Sequence, residues 1–579
     1  MIQFLRSLCI VLLLGLLVGP LPAAAQEEDE DPDPEEEQDE SPQLPEIAPR
    51  EFEIRGDLQI AFPEFERQPL QGFASASSLP SVPTNRTPYV EPYKQELDSL
   101  PEQLVSPEPV SAPVQSSAAA PSVGHLEAGT GRYFSRFATG HVSLPLSTRE
   151  QVTVRADYSG TEGFQPFDES TVETPSDVLD GEVRLVSRRA PVRSSIALEG
   201  LIDDYTLYGV AQSPEAFLPD RTFYSGAVTG RLSTSGAVPA AVQVRYGQHQ
   251  YNTTPAENLD ATFRERRLAL NGELSVPIDG AEGTVDAAYS RSGLGGDVPD
   301  GTESTLDAGT SMEVLRRPSL RVAAGARVLW SRGPAFLFQS QSPTTSSIYA
   351  LPTARAEWAA APWATVFAEN DPRLEGGSLR SYHSQNPYTE STPSTRPTIY
   401  TTDAEAGVDL TRGWVRLQAQ AGYRYSPSYR YYVPGVQGFA VQYDAARIVH
   451  GGGEIALQGL DPVQAALGVS VRDGALTSQD DEIPYFAPVQ AHAMFSVDFA
   501  DGDATVQTTG TLNSARPTDR TGSEELGSYL AVDVEGSYSV TSTVDVLLRA
   551  ENVSPGAPEE WLRYPRPPTQ ITGGFRFRW

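Results

Sequence analysis

From about His125 onward the chain repeats one pattern: short segments in which apolar and polar residues alternate, set apart by polar or Gly/Pro turns roughly every 20 residues. Val152-Thr153-Val154-Arg155-Ala156-Asp157-Tyr158 places Val, Val, Ala and Tyr on one side, and Val242-Gln243-Val244-Arg245-Tyr246 does the same. The cleanest example is Val415-Arg416-Leu417-Gln418-Ala419-Gln420-Ala421-Gly422-Tyr423-Arg424-Tyr425. A strand shows its faces with period two, so each segment has an apolar face and a charged face. A β-sandwich uses one or two hundred residues, not the roughly 455 found here. A solenoid needs a tighter repeat than these segments share. An antiparallel barrel in a membrane fits, because its outside meets lipid and its lumen meets water.

At roughly 20 to 25 residues per strand and turn, this length gives about 18 to 22 antiparallel strands, an even number being expected. Short turns such as Leu146-Ser147-Thr148-Arg149 are expected to face the periplasm, and the stretches 164–176, 331–347 and 369–397 to face outward. Tyr158, Tyr246, Trp330, Trp414 and Tyr425 lie near strand ends, where interfacial aromatic girdles sit. Arg155, Arg245, Arg416, Arg424, Arg576 and Arg578 fall on the polar face, which makes them candidates for lining the lumen. There they would select anions or pair with acidic neighbours on adjacent strands, as Arg549 with Glu535 or Asp533.

The two ends frame this barrel. Met1–Ala25 reads as a signal peptide: Arg6, an apolar run from Leu8 to Val18, and Ala23-Ala24-Ala25 before Gln26. The single cysteine, Cys9, lies inside it, so the exported chain is expected to carry no disulfide and no Cys-based metal site. Residues 26–50 form an acidic tract too poor in apolar side chains to build a core, expected to be disordered. Residues 51–124 read as an extended Pro/Ser-rich arm with one short strand near Glu51–Phe62, a possible contact for a periplasmic partner. Residues 125–579 are the barrel. The net charge of -33 argues against nucleic-acid binding, which needs basic patches.

No catalytic constellation or cofactor motif stands out. The histidines at 125, 141, 249, 383, 450 and 492 lack zinc spacing. His383-Ser384 with Asn386 has the parts of a lipid hydrolase, but neighbouring residues of a strand point to opposite faces. Asp480-Asp481-Glu482 and Asp501-Gly502-Asp503 carry hard oxygen ligands suited to Ca²⁺, yet read more simply as solvated turns. The chain is therefore expected not to be an enzyme.

The final hairpin adds a resemblance. Asn552-Val553, then Tyr564-Pro565-Arg566-Pro567, then a Gly573-Gly574 strand ending Phe575-Arg576-Phe577-Arg578-Trp579, resembles the closing hairpin of TonB-dependent outer-membrane receptors. Pro568-Thr569 stands where that family has Gly-Arg. The terminal aromatic is also similar to the C-terminal signature of outer-membrane proteins. The resemblance implies export to the cell outer membrane, insertion by the barrel assembly machinery through the last strand, contact with outer-membrane lipid, and transport or binding of a nutrient. Such receptors carry a plug domain and a TonB-contacting box, and neither is recognisable between Gln26 and Val123. A passive porin-like channel and a barrel that anchors or displays partners stay open beside the transport reading.

Overall fold

The computed structural model describes residues 123–579, apart from 168–172, 211–217, 237, 255–260, 279–280, 298–300, 335–343, 391–394, 436–437 and 554–557. The expected signal peptide, acidic tract and nearly all of the arm lie outside the described residues.

Successive strands from Gly124–Gly131 to Gln570–Arg578 pair antiparallel with their neighbours in the chain. The last strand returns to the first in register, His125 opposite Arg578 and Gly131 opposite Thr572. The sheet therefore closes, and no edge is left to pair with another chain. One of its 23 strands, the two-residue Asp481–Glu482, is an appendage on Val463–Leu476. The remaining 22 form the barrel, the upper end of the expected range.

The pleat sorts side chains as the alternation requires. Val242, Val244 and Tyr246 project outward, as do Leu467, Val469 and Val471. On the terminal strand Phe575 is 64% exposed, with Ile571, Phe577 and Trp579 exposed beside it. Apolar surface of this extent on the outside of a closed barrel is the mark of one that spans a membrane. Among the described residues no helix is long and apolar enough to cross a membrane; the strands do so. Trp358, Trp363, Trp414, Phe499, Tyr538 and Trp579 are exposed near the short-turn end, which is the periplasmic end by the rule of short inner and long outer connections.

Two sequence expectations need correction. Val415–Tyr425 extends to Pro434, a strand of 20 residues. Its register shifts between Ser426 and Tyr429, and that bulge breaks the alternation where the sequence pattern stops. The expected outer loop 331–347 is shorter, because the flanking strands pair all the way to Pro334 opposite Thr344. A bilayer needs only about 9 to 11 residues per strand. With 20 and 22 residues, Val415–Pro434 and Phe439–Leu460 outrun that thickness. Along the second, exposed apolar residues appear only from Val449 to Leu460, so its outer part stands clear of the membrane.

Candidate functional site at the barrel mouth

The outer loop 371–401, described at 371–390 and 395–401, lies between the strands Ala364–Asn370 and Thr402–Arg412, and its described residues turn back into the lumen. Its local fold is dictated by side chains that satisfy backbone groups. Arg373–Glu375 pairs with Thr398–Tyr400. A helix, Leu379–Gln385, is opened by Ser378, whose hydroxyl accepts from the Ser381 N–H while Ser381 reciprocates. Gly377 precedes it because a Cβ there would lie 2.0 Å from the Tyr382 hydroxyl. Leu379, Tyr382 and His383 are buried on the face toward the wall, and Leu379 packs with Phe223, Tyr251, Phe263 and Leu294.

Polar contacts hold the loop at depth. The Leu379 N–H donates to Glu265 Oε2 at 2.6 Å, and Glu265 is fully buried. Arg267 donates to the Gly377 carbonyl. The Leu374 N–H donates to Asp307 at 3.0 Å, and Arg380 donates to Ser225 at 3.0 Å. Asp307 and Ser225 lie well below the outer ends of strands that begin at Gly301 and Asp220. At ~3.3 Å per residue the loop reaches roughly 15 to 20 Å along the wall.

This placement corrects the reading of His383-Ser384. They sit on a helix, not a strand. His383 Nε2 meets Asp203 at 2.8 Å and its ring stacks on Phe223 at 4.0 Å. Ser384 turns to the Ser381 carbonyl. The histidine fixes the loop to the wall and does not serve the serine as a base.

Above the loop, aromatic side chains from several outer segments converge: Phe164, Tyr208, Tyr382, Tyr432, Phe439 and Tyr564, flanked by Tyr388, Tyr485 and Trp561. Tyr388, on the inward loop, stacks on Tyr564 of the last outer loop at 3.6 Å and 22°. The Tyr208 hydroxyl donates to the Pro565 carbonyl at 3.0 Å, and Tyr205 donates to the Pro387 carbonyl at 2.5 Å. Burial pushes the phenols of Tyr208, Tyr388 and Tyr564 above the ordinary tyrosine range. Gly209 leaves room for the Tyr564 ring, since a Cβ there would meet it at 2.2 Å. Of the closing-hairpin residues, Tyr564 and Pro565 are buried in this cap. Asn552, at φ 51°, turns the chain out of its strand and donates to the Pro567 carbonyl at 2.5 Å. Phe575, Phe577 and Trp579 lie on the outer surface of the barrel.

The six arginines are scattered around the wall, and carboxylates meet each of them. Arg245 forks onto Glu199 at 2.9 and 2.7 Å. Arg416 meets Asp409 at 2.9 Å. Arg424 meets Asp403 at 2.8 Å, and Arg373 of the inward loop grips the same carboxylate. Arg576 donates to Glu127 at 2.5 Å across the barrel seam, joined there by Arg549 at 2.8 Å. Arg578 pairs with Asp545. Arg155, 61% exposed, pairs with Asp157. Arg549 also reaches Glu535, as the alternation suggests. The acidic runs are engaged elsewhere: Asp480 pairs with Arg447 and Asp481 with Arg520, while Asp501 sits in a tight turn. Among the described residues no group of three His, Cys, Asp or Glu is arranged to hold a metal ion.

Among the described residues two cavities open onto this region. One, of about 370 Å³, lies between the inward helix and the wall, lined by Arg245, His249, Arg267, Ser378, Arg380, Ser381 and Ser384. The other, of about 360 Å³, is lined by Tyr485, Asn513, Arg516, Tyr529, Trp561 and Arg566 among others. Sequence reasoning singled out Arg245 and Tyr564-Pro565 but did not bring them together with the other residues of the cavities or the cap. The one available signal was the density of tyrosines in 382–443, which reads locally as girdle.

In sequence, no family model and no curated relative matches the chain. In structure it is similar to the copper transporter OprC, with a TM-score of 0.62 and 12% identity over 81% of this chain and 82% of that one. It is similar to the FrpB iron transporter of Neisseria meningitidis (F5-1 variant), with a TM-score of 0.63 and 10% identity over 80% and 83%. It is also similar to the pyoverdine outer membrane receptor FpvA of Pseudomonas aeruginosa PAO1, with a TM-score of 0.61 and 14% identity over 79% and 78%. At these identities the likeness is one of fold, and the fold is the receptor-type barrel implied by the closing hairpin.

Proposed function

We propose that the chain is an outer-membrane barrel of the TonB-dependent receptor type that binds a nutrient solute and passes it inward only when its mouth is opened. The observation that carries this reading is the loop 371–401, docked on the buried Glu265 and capped by the Tyr388–Tyr564 stack. A porin keeps its mouth open; here aromatic packing and buried polar bonds have to break first. The structures similar in fold, titled as transporters of copper and iron and as a pyoverdine receptor, favour uptake over display. His383 engaged with Asp203 and turned from Ser384 favours a non-enzyme.

On this reading the face carrying Ile571, Phe575, Phe577 and Trp579 meets outer-membrane lipid, and the terminal strand is what the barrel assembly machinery recognises. The segment 51–124 is the candidate contact for a periplasmic energising partner, and the paired arginines of the wall tune the lumen. The test is growth. A strain lacking the chain is compared with one lacking TonB, each under single limiting nutrients. The proposal expects one nutrient on which both fail and on which the double mutant is no worse. A general loss of small-solute entry, independent of TonB, would identify a passive channel instead.

A further inference from the structure

We infer that the cavity between the inward helix and the wall is an oxyanion site, which takes a carboxylate or phosphate group and ties the loop to the barrel. Three guanidinium groups and one imidazole converge on about 370 Å³ together with serine hydroxyls. The carboxylates that balance them stand behind this lining. Glu199 is engaged by Arg245 through two bonds, and Glu265 is spent on the Leu379 N–H and on Ser292. The same bonds hold Arg245 on Glu199 and Thr229, and Arg267 is held on the Gly377 carbonyl and Ser290, so the donors left to the cavity are chiefly those of Arg380.

Arg380 is the central residue. It comes from the loop, whereas Arg245, Arg267 and His249 come from the wall. A guanidinium has five N–H donors. Arg380 gives one bond to Ser225 at 3.0 Å and stands 3.9 Å from Glu199, a distance too long for a hydrogen bond. Its remaining donors are available to the cavity. His249 is 4% exposed and its Nδ1 meets Ser225 at 2.9 Å, which leaves the other ring nitrogen on the cavity side, beside Gly247. A planar or tetrahedral oxyanion matches forked guanidinium donors, and an oxyanion seated here bridges loop and wall.

The site is tested by isothermal titration calorimetry on the detergent-purified full chain, with inorganic phosphate and with succinate as probes. Because no uptake is measured, failure of the transport reading and failure of this one are separable. Saturable binding of at least one probe is expected, weakened at least tenfold in Arg380→Gln. Ser384→Glu, which places a carboxylate at an exposed hydroxyl of the lining, should weaken it as much. The folded state of each variant is read from its unheated electrophoretic mobility. Binding of phosphate alone assigns a tetrahedral oxyanion, and binding of both probes a general carboxylate or phosphate site. Heats that do not saturate, or that are equal in wild type and both folded variants, overturn the proposal.

Discussion

The wall and the mouth of this barrel are held by different kinds of contact. Around the wall, each strand is bonded to the strand next in sequence, and even the seam follows the same ladder rule, with Glu127 gathering Arg549 and Arg576 across it. At the mouth the decisive contacts join distant residues: Tyr208 with Pro565, Tyr388 with Tyr564, Leu379 with Glu265. Backbone ladders are cooperative and indifferent to any single side chain. A cap of side chains depends on each of its members. The wall should therefore survive changes that open the mouth.

The largest separation of mouth from wall is expected from Glu265→Ala, which removes a fully buried carboxylate from under the Leu379 N–H, Ser292 and Arg267. Breaking such a buried charged contact costs about 3–5 kcal/mol. The expected outcome is rapid proteolysis within 371–401, with the midpoint of heat-induced barrel unfolding little changed. Tyr564→Ala comes next, at about 3 kcal/mol for a buried aromatic. It should raise hydrogen exchange in 371–401 as well as in 552–569, because the Tyr388 stack is shared. Glu127→Gln acts on the other side of the comparison. It weakens the seam by about 2 kcal/mol, lowering the unfolding midpoint while protease resistance of the loop stays at wild-type level. The smallest effect belongs to Arg155→Ala, an exposed guanidinium paired with the half-buried Asp157, with a change under ~0.5 kcal/mol in either assay.

The same division explains what could be read from the chain. Alternation is a local signal, so Val152–Tyr158, Val415–Tyr425 and the two-faced terminal strand were legible, and the length from His125 onward set the approximate strand number. Legibility stops where local order stops. The bulge after Ser426 hid the outer part of the longest strands. The helix at Leu379–Gln385 is too short to show a periodic face, and its fold depends on Glu265 and Arg267 more than a hundred residues earlier. Tyr564-Pro565 was recognised as a motif, yet its place against Tyr388 and beside Gly209 follows only from the closed barrel.

Whether 371–401 closes the mouth is read from planar-bilayer conductance. Four proteins are compared: the full chain, a variant with 373–398 replaced by a short Gly/Ser turn, a variant lacking 27–122, and the double deletion. No stable steps are expected for any protein that keeps the loop, and large open steps once the loop is removed from the chain lacking 27–122. Large steps from the full chain, or steps of equal size in the 27–122 deletion whether or not the loop is present, would contradict closure by the loop.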